Sequence, residues 1–428
     1  MATAPSPRRP SDEAPTLDVG AARARFPSLA RTLPNGHRAA FLDGPGGSQA
    51  PGSVIQAIAD YMRRSAANEG GPFATSVETG EVIVGARVAA SDFTGSAPEE
   101  IVFGPNMTTL NFLLAHAVAR TLARGDEIVV TDLDHDANVA PWLAVAADHG
   151  LTIRHAPIRV EDGTLDLEGL EATLGPRTRV VAFTLASNAL GTIPDAGRIV
   201  AAAHRVGALA WADAVHFAPH RRIERHEMGI DVLLCSPYKF FGPHAGIASV
   251  RRDLAETLPA DRVRPAPQTP PGHRFETGTP SFEALAGVTA CIDYIASLGE
   301  GAGNGRRLAL DRAFDAIEAH EQGLTARALA GFAEIPGVRL FGIADPARIH
   351  ERTPTFCFTV EGRTPRAVAE ALGEEGLFVW DGNYYALGPM TALGLEDHGG
   401  AVRAGALHYT TAEEIDRLLS AVRRLARR

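Results

Sequence analysis

One residue of this sequence can do chemistry that its neighbours cannot. Of the 41 basic residues, all but Lys239 are arginine. A guanidinium stays protonated in proteins, whereas a lysine amine can lose its proton and attack a carbonyl. Lys239 stands in Ser236-Pro237-Tyr238-Lys239-Phe240-Phe241-Gly242-Pro243-His244. Aromatic neighbours on both sides should strip water from the amine and lower its pKa. That favours the free base, the form a Schiff base requires. On composition alone, a leftover surface lysine is the competing reading.

Three further segments carry reactive groups. Asp213 follows an apolar run, in Ala212-Asp213-Ala214-Val215-His216. An aspartate there can cap a helix, or it can hold a protonated pyridine nitrogen. A lysine for the aldehyde and an aspartate for the ring nitrogen are what pyridoxal 5′-phosphate asks of a protein, so the pair points to that cofactor. Gly104-Pro105-Asn106-Met107-Thr108-Thr109 lies between a strand pattern and a helix pattern. It offers backbone amides and hydroxyls at a helix N-terminus, a setting for a phosphate. It is not a P-loop, because GxxxxGK[ST] is absent. Asp132-Leu133-Asp134-His135-Asp136-Ala137-Asn138 could be read as a metal site. The alternative is a histidine stacked on an aromatic cofactor with carboxylates tuning it. No HExxH is present, since His226-Glu227 lacks a second histidine at the right spacing. The reading carries no metal.

These segments need strand ends to hold them. Short β-rich apolar runs recur at 100–103, 127–131, 179–184, 208–211, 231–235 and 246–250. Helical patterns lie between them, at 108–122 and 196–206. Alternating strands and helices imply βαβ units and a mainly parallel sheet covered on both faces. The expected fold class is α/β: a large domain over 45–285 and a smaller α+β domain over 286–428. In the smaller domain a helix is expected near 304–332, strands near 338–340 and 355–359, and helices near 365–373 and 411–427. Residues 17–44 are expected to pack with the small domain. Residues 1–16, Pro-rich and polar, read as a disordered tail. In such a sheet, function is expected at the carboxyl ends of the strands.

Composition excludes other classes. The chain has 428 residues with a net charge of −10, 45% apolar and 21% charged. A mildly acidic balance argues against nucleic-acid binding. Cys235, Cys291 and Cys357 are far apart, without CxxC spacing. That argues against a disulfide framework or structural zinc and fits a reducing compartment. Arg8-Arg9 is followed by no apolar h-region, and no run of 18 apolar residues occurs. Export and membrane spanning are therefore not expected, and the reading is a cytoplasmic protein.

Seven segments, in order, resemble the class V aminotransferase family, and within it the cysteine desulfurases and selenocysteine lyases. They are Phe41-Leu42-Asp43, Asp134-His135-Asp136-Ala137-Asn138-Val139-Ala140-Pro141-Trp142, Ser187-Asn188-Ala189-Leu190-Gly191-Thr192, Asp213-Ala214-Val215-His216, Ser236-Pro237-Tyr238-Lys239, Arg274-Phe275-Glu276-Thr277-Gly278-Thr279-Pro280 and Val402-Arg403-Ala404-Gly405. The resemblance implies the fold of pyridoxal-phosphate-dependent transferases and a role for each matching residue. Lys239 would carry the cofactor as a Schiff base and move the Cα proton. Asp213 would pair with the ring nitrogen, His135 would stack on the ring, and His216 would contact the ring hydroxyl. Asn188 would sit near the ring oxygen and the substrate. Ser236 with Asn106, Met107 and Thr108 would hold the phosphate. Thr279 would reach the phosphate of a neighbouring subunit, which implies a homodimer. Arg403 would clamp the carboxylate of an amino-acid substrate, a task suited to guanidinium.

Three features depart from the family. Tyr238 stands where relatives have a histidine before the lysine. The relatives' Thr-Thr phosphate pair falls at Asn106-Met107. The stretch Trp380-Asp381-Gly382-Asn383-Tyr384-Tyr385-Ala386-Leu387 has no cysteine where desulfurases carry the catalytic one. Without that thiolate the usual persulfide route is closed. The reading is therefore C–S bond cleavage by β-elimination, with Tyr384 and Tyr385 as packing residues or substrate contacts, where a tyrosine could act as acid or base or shape the pocket. Transamination, epimerisation or decarboxylation of another amino acid is one alternative. A non-catalytic pyridoxal-phosphate-binding protein is the other.

Overall fold

In the computed structural model, residues 16–299 and 305–427 are described. Most of the expected tail at 1–16 lies outside them. Seven strands form the central sheet: β1 (Ile101–Gly104), β2 (Glu127–Thr131), β3 (Thr152–Ala156), β4 (Thr178–Thr184), β5 (Leu209–Asp213), β6 (Val232–Cys235) and β7 (Gly246–Val250). Their order is β1-β7-β6-β5-β4-β2-β3. All neighbours are parallel except β7, which runs antiparallel to β1 and β6.

The alternation of side chains divides this sheet between two cores. Phe103, Val129, Val181, Phe183, Leu233 and Ile247 point into one. Val102, Ile128, Val130, Val180, Ala182, Trp211, Leu234 and Ala248 point into the other. Burial on both faces is what the apolar runs imply. Strand β3 went unrecognised in the sequence because only Ala156 of its five residues is buried. It forms the sheet edge, where no apolar run is required.

A second, antiparallel sheet lies in the C-terminal part. Its strands are β8 (Val338–Phe341), β9 (Thr355–Val360), β10 (Trp380–Gly382) and β11 (Ala401–Gly405), in the order β8-β9-β11-β10. The helices Arg306–Ala333 and Ala412–Ala426 bury Leu324, Phe332, Ile415 and Leu418 against Phe356, Phe358 and Val402 of this sheet. Thr411 and Glu414 close the start of the last helix as a capping box. The fold is thus α/β, with a mostly parallel central sheet and a smaller C-terminal sheet domain.

The expected boundary at 285 falls within the helix Phe282–Ser297. That helix packs on the helices Gly52–Arg64 and Ala74–Thr94. The N-terminal segment reaches the C-terminal part. Ala40–Phe41 pairs in parallel with Leu377–Phe378, and Arg23 forms an ion pair with Glu414 at 2.9 Å. Among the described residues no helix is long and apolar enough to cross a membrane.

Candidate active site

The carboxyl ends of β5 and β6 open on a small cavity of about 50 Å³. Lys239, Asp213, His135, His216, Asn188, Ser236, Met107 and Thr108 all line it, with Pro45 and Tyr238. Segments far apart in sequence converge there because parallel strands end on one edge of the sheet.

Lys239 ends the short turn Pro237–Lys239 that follows β6. Phe240 and Phe241 after it are fully buried. The amine donates to the backbone oxygens of Pro45 (2.6 Å) and Gly46 (2.9 Å) and sits 4.9 Å from the Tyr238 ring centroid. Burial, followed by the nearby charge of Arg403, lowers its pKa to about 7, against the opposing charges of Asp213 and Asp43. The desolvation expected from the flanking aromatics is present.

Asp213 is the last residue of β5 and is buried. One carboxylate oxygen accepts from the Val215 amide at 2.7 Å, so the local turn expected for a capping aspartate also forms. Burial raises its pKa to about 6. His135 accepts from the Ala137 amide through Nδ1 (2.9 Å), and burial holds its pKa near 4, so the ring is neutral at pH 7. His216 is held at Nε2 by the hydroxyls of Thr353 (3.1 Å) and Thr355 (2.9 Å) on the C-terminal part. Burial, with the charges of His220, Arg403 and Lys239, keeps it neutral too.

The segment expected to hold a phosphate lies at the start of the helix Met107–Ala119. Asn106 caps it by accepting from the Thr109 amide (2.8 Å), and the Met107 amide donates to Ser236 Oγ (3.0 Å). Gly246 of β7 lies against the Asn106 backbone, where a Cβ would collide. A contact this tight needs glycine at that position. The helix begins at Met107 and ends at Ala119, one residue before and three residues short of the 108–122 pattern.

The acidic segment 132–138 divides its labour. Asp132 pairs with the half-exposed His155. Asp134 is buried, accepts from the Thr131 hydroxyl and from Asn138 Nδ2 (2.7 Å), and has its pKa raised to about 8, mainly by burial. Asn138 continues through Asn111 to the Trp211 indole, a buried polar chain beneath the cavity. The Asp136 amide donates to the Tyr385 carbonyl at 2.7 Å. Among the described residues no group of three or more His, Cys, Asp and Glu has metal-binding geometry.

Arg403 stands behind this wall, buried. Its Nη1 donates to the Asn188 carbonyl (2.9 Å), and its guanidinium lies 4.3 Å from the Tyr384 ring centroid. Tyr385 is 73% exposed, with its ring 5.7 Å from His135. Thr279 is exposed and is not among the residues that line the cavity. The three cysteines are free and buried. Burial raises the thiol of Cys357 to about 12 and those of Cys235 and Cys291 above the ordinary range.

Sequence reasoning assigned no role to Asp43, Thr353 or Thr355, and it did not foresee the hold of Pro45 and Gly46 on Lys239. Asp43 is held near pKa 6 by burial and carries an oxygen without a partner. The signal available for the loop was Gly44-Pro45-Gly46-Gly47, whose glycines let backbone approach an amine closely. The threonines gave no signal, because their partner is 137 residues away.

Residues 40–418 match the family described as aminotransferase class-V. A probable cysteine desulfurase 2 of Mycobacterium leprae is 31% identical over 95% of this chain and 96% of its own length. A cysteine desulfurase of Dickeya dadantii is 31% identical, with the same two coverages. The apo structure of cysteine desulfurase from Thermococcus onnurineus NA1 has a TM-score of 0.82 and 26% identity. It covers 94% of this chain and 98% of that one.

Proposed function

Because this chain belongs to the class-V aminotransferase family, we propose that it cleaves a C–S bond of an amino acid by β-elimination and passes no sulfur through a cysteine of its own. It is a cysteine desulfurase-like enzyme that depends on pyridoxal 5′-phosphate and acts on an amino acid. The residues present fit that cofactor. A lysine amine poised near neutrality, a buried aspartate and a helix N-terminus with a serine hydroxyl meet in one cavity, where Asn188 Oδ1 is buried without a partner. When bound, the cofactor withdraws electron density from the substrate α-carbon.

The rest of the chemistry belongs to this chain. Lys239 holds the cofactor and, with its pKa near 7, takes the proton from the substrate Cα. Asp213 would pair with the ring nitrogen and keep it protonated. His135, neutral, would stack on the ring, and His216, fixed by two threonines, would meet the ring hydroxyl. Asn106, Met107, Thr108 and Ser236 would hold the phosphate. Asn188 and Arg403 bind the substrate, with Tyr385 at the mouth. Exposed Thr279 reaches the phosphate of a second subunit, so the working form is a homodimer. Three free buried thiols suit a cytoplasmic setting. Cysteine and water would then yield pyruvate, ammonia and hydrogen sulfide.

The observation that carries this reading is the sole lysine. It meets two backbone carbonyls and the cavity, with its amine half neutral at pH 7. The test is the absorbance of the purified protein beside Lys239→Ala, followed by product analysis with L-cysteine. A near-visible band lost in the variant, with pyruvate and sulfide formed, is the expected result. Deuterium from solvent at Cα without elimination would move the assignment to transamination or epimerisation. A protein with no band after addition of the cofactor would overturn the reading.

A further inference from the structure

Among the described residues only three that are not glycine have a left-handed backbone, and two are consecutive: Tyr384 and Tyr385, each with φ of 57°. That region is disfavoured for an L-residue, whose Cβ crowds the following carbonyl oxygen. Such a pair persists only where its surroundings over-determine it. Here they do. Asn383 Oδ1 accepts from the Tyr385 amide (3.1 Å), while Asn383 Nδ2 donates to Glu396 (3.0 Å). The Asp136 amide donates to the Tyr385 carbonyl, and the Tyr384 hydroxyl donates to the Ala401 carbonyl.

Three of the contacts close a ring. Asn188 Nδ2 donates to the Tyr384 carbonyl (3.0 Å), Arg403 Nη1 donates to the Asn188 carbonyl (2.9 Å), and the Arg403 guanidinium lies over the Tyr384 ring (4.3 Å). Within this triangle two buried polar atoms have no partner: Asn188 Oδ1, an acceptor, and Arg403 Nε, a donor. Buried polar atoms are nearly always satisfied, so an unpaired donor and acceptor in one place leave capacity for a ligand. A charged guanidinium donor selects a carboxylate. The left-handed turn is what puts the Tyr384 ring and carbonyl on two different members of the triangle.

We propose that Tyr384 is a positioning residue for substrate recognition: its ring face fixes the Arg403 guanidinium so that the free Nε donor meets the carboxylate of an amino-acid substrate, while its carbonyl holds Asn188 beside it with Oδ1 free to accept from a donor of the bound ligand. This rests on the function proposed above and adds to it the residue that sets carboxylate selectivity. A cation over a desolvated aromatic face gives an interaction large enough to set the orientation of an arginine.

The test compares two small amines on the holoenzyme, L-alanine and L-alaninamide, which differ in whether the carboxylate is present. Neither has a leaving group at Cβ, so the shift of the near-visible band reads binding alone. The parent should prefer L-alanine by about 10-fold or more. Tyr384→Leu should lower that preference by roughly 10-fold while keeping the band. Tyr384→Phe, which keeps the ring, should stay within about 2-fold of the parent, and Arg403→Lys should behave like Tyr384→Leu. An unchanged preference in Tyr384→Leu overturns the proposal. So does a Tyr384→Phe that loses the preference, since the hydroxyl and not the ring face would then be responsible. A parent with no band fails at the earlier step and brings down the cofactor reading as well, so the two failures are separable.

Discussion

The two walls of the cavity are built differently. On the wall formed by the central sheet, Asp213 ends a strand, Ser236 and Lys239 follow one, and Met107 and Thr108 begin a helix. Their positions follow from sheet topology. Behind Asn188 and His135, Tyr384 and Tyr385 do not line the cavity themselves and adopt a disfavoured backbone held by long-range contacts to Asn188, Asp136 and Ala401. On the function proposed above, the first wall would hold the cofactor, and the second would spend local stability to place groups that choose the substrate.

The largest expected effect tests the first wall. Lys239→Arg keeps the positive charge and most of the length but removes the titratable amine. Turnover should fall by about 10³-fold or more, and the near-visible band should be lost. An arginine that still worked would mean that this wall supplies only charge. The polar chain under the same wall gives a smaller effect with a defined sign. Burial raises the Asp134 pKa from 3.8 to about 8, so the folded state binds a proton that the unfolded state releases. Its contribution is fully present below pH 3.8 and is lost as pH rises through about 8. Asp134→Asn removes this titration. The melting temperature of the variant relative to the parent should therefore climb by a few degrees between pH 5 and pH 9. A constant difference would show that the carboxyl is ionised throughout.

The same contrast explains what was legible in the sequence. Lys239, Asp213 and Ser236 could be found because an apolar run followed by a short polar loop marks a strand end, and a strand end in a parallel sheet faces a site. The helices Arg306–Ala333 and Ala412–Ala426 were found to within two residues by their periodicity. Arg403 was found through family resemblance, yet its hold on Tyr384 was not. That contact spans two strands and a turn whose backbone no propensity predicts. The same holds for Thr353 and Thr355 on His216 and for Pro45 and Gly46 on Lys239. These are contacts between parts of the chain that meet only after folding, so local pattern carries no trace of them. Strand β3 escaped because an edge strand can expose most of its side chains, and four of its five residues are not buried.

The smallest expected effect bears on the second wall. A persulfide needs a thiolate that is exposed to the substrate, and low pKa and access go together in reactive cysteines. Cys357 is the candidate with a favourable charge, because it pairs across strands with Arg403, which favours its thiolate. Burial wins over that charge and leaves the thiol near 12, with none of its surface open. Cys235 and Cys291 are buried with raised pKa as well. A variant with all three changed to alanine should therefore release sulfide from L-cysteine at a rate within about 2-fold of the parent, since only core packing is altered. A thousand-fold loss, restored by returning Cys357 alone, would mean that the Tyr384 loop opens during turnover. The second wall would then be a gate over a hidden nucleophile instead of a fixed frame for Arg403.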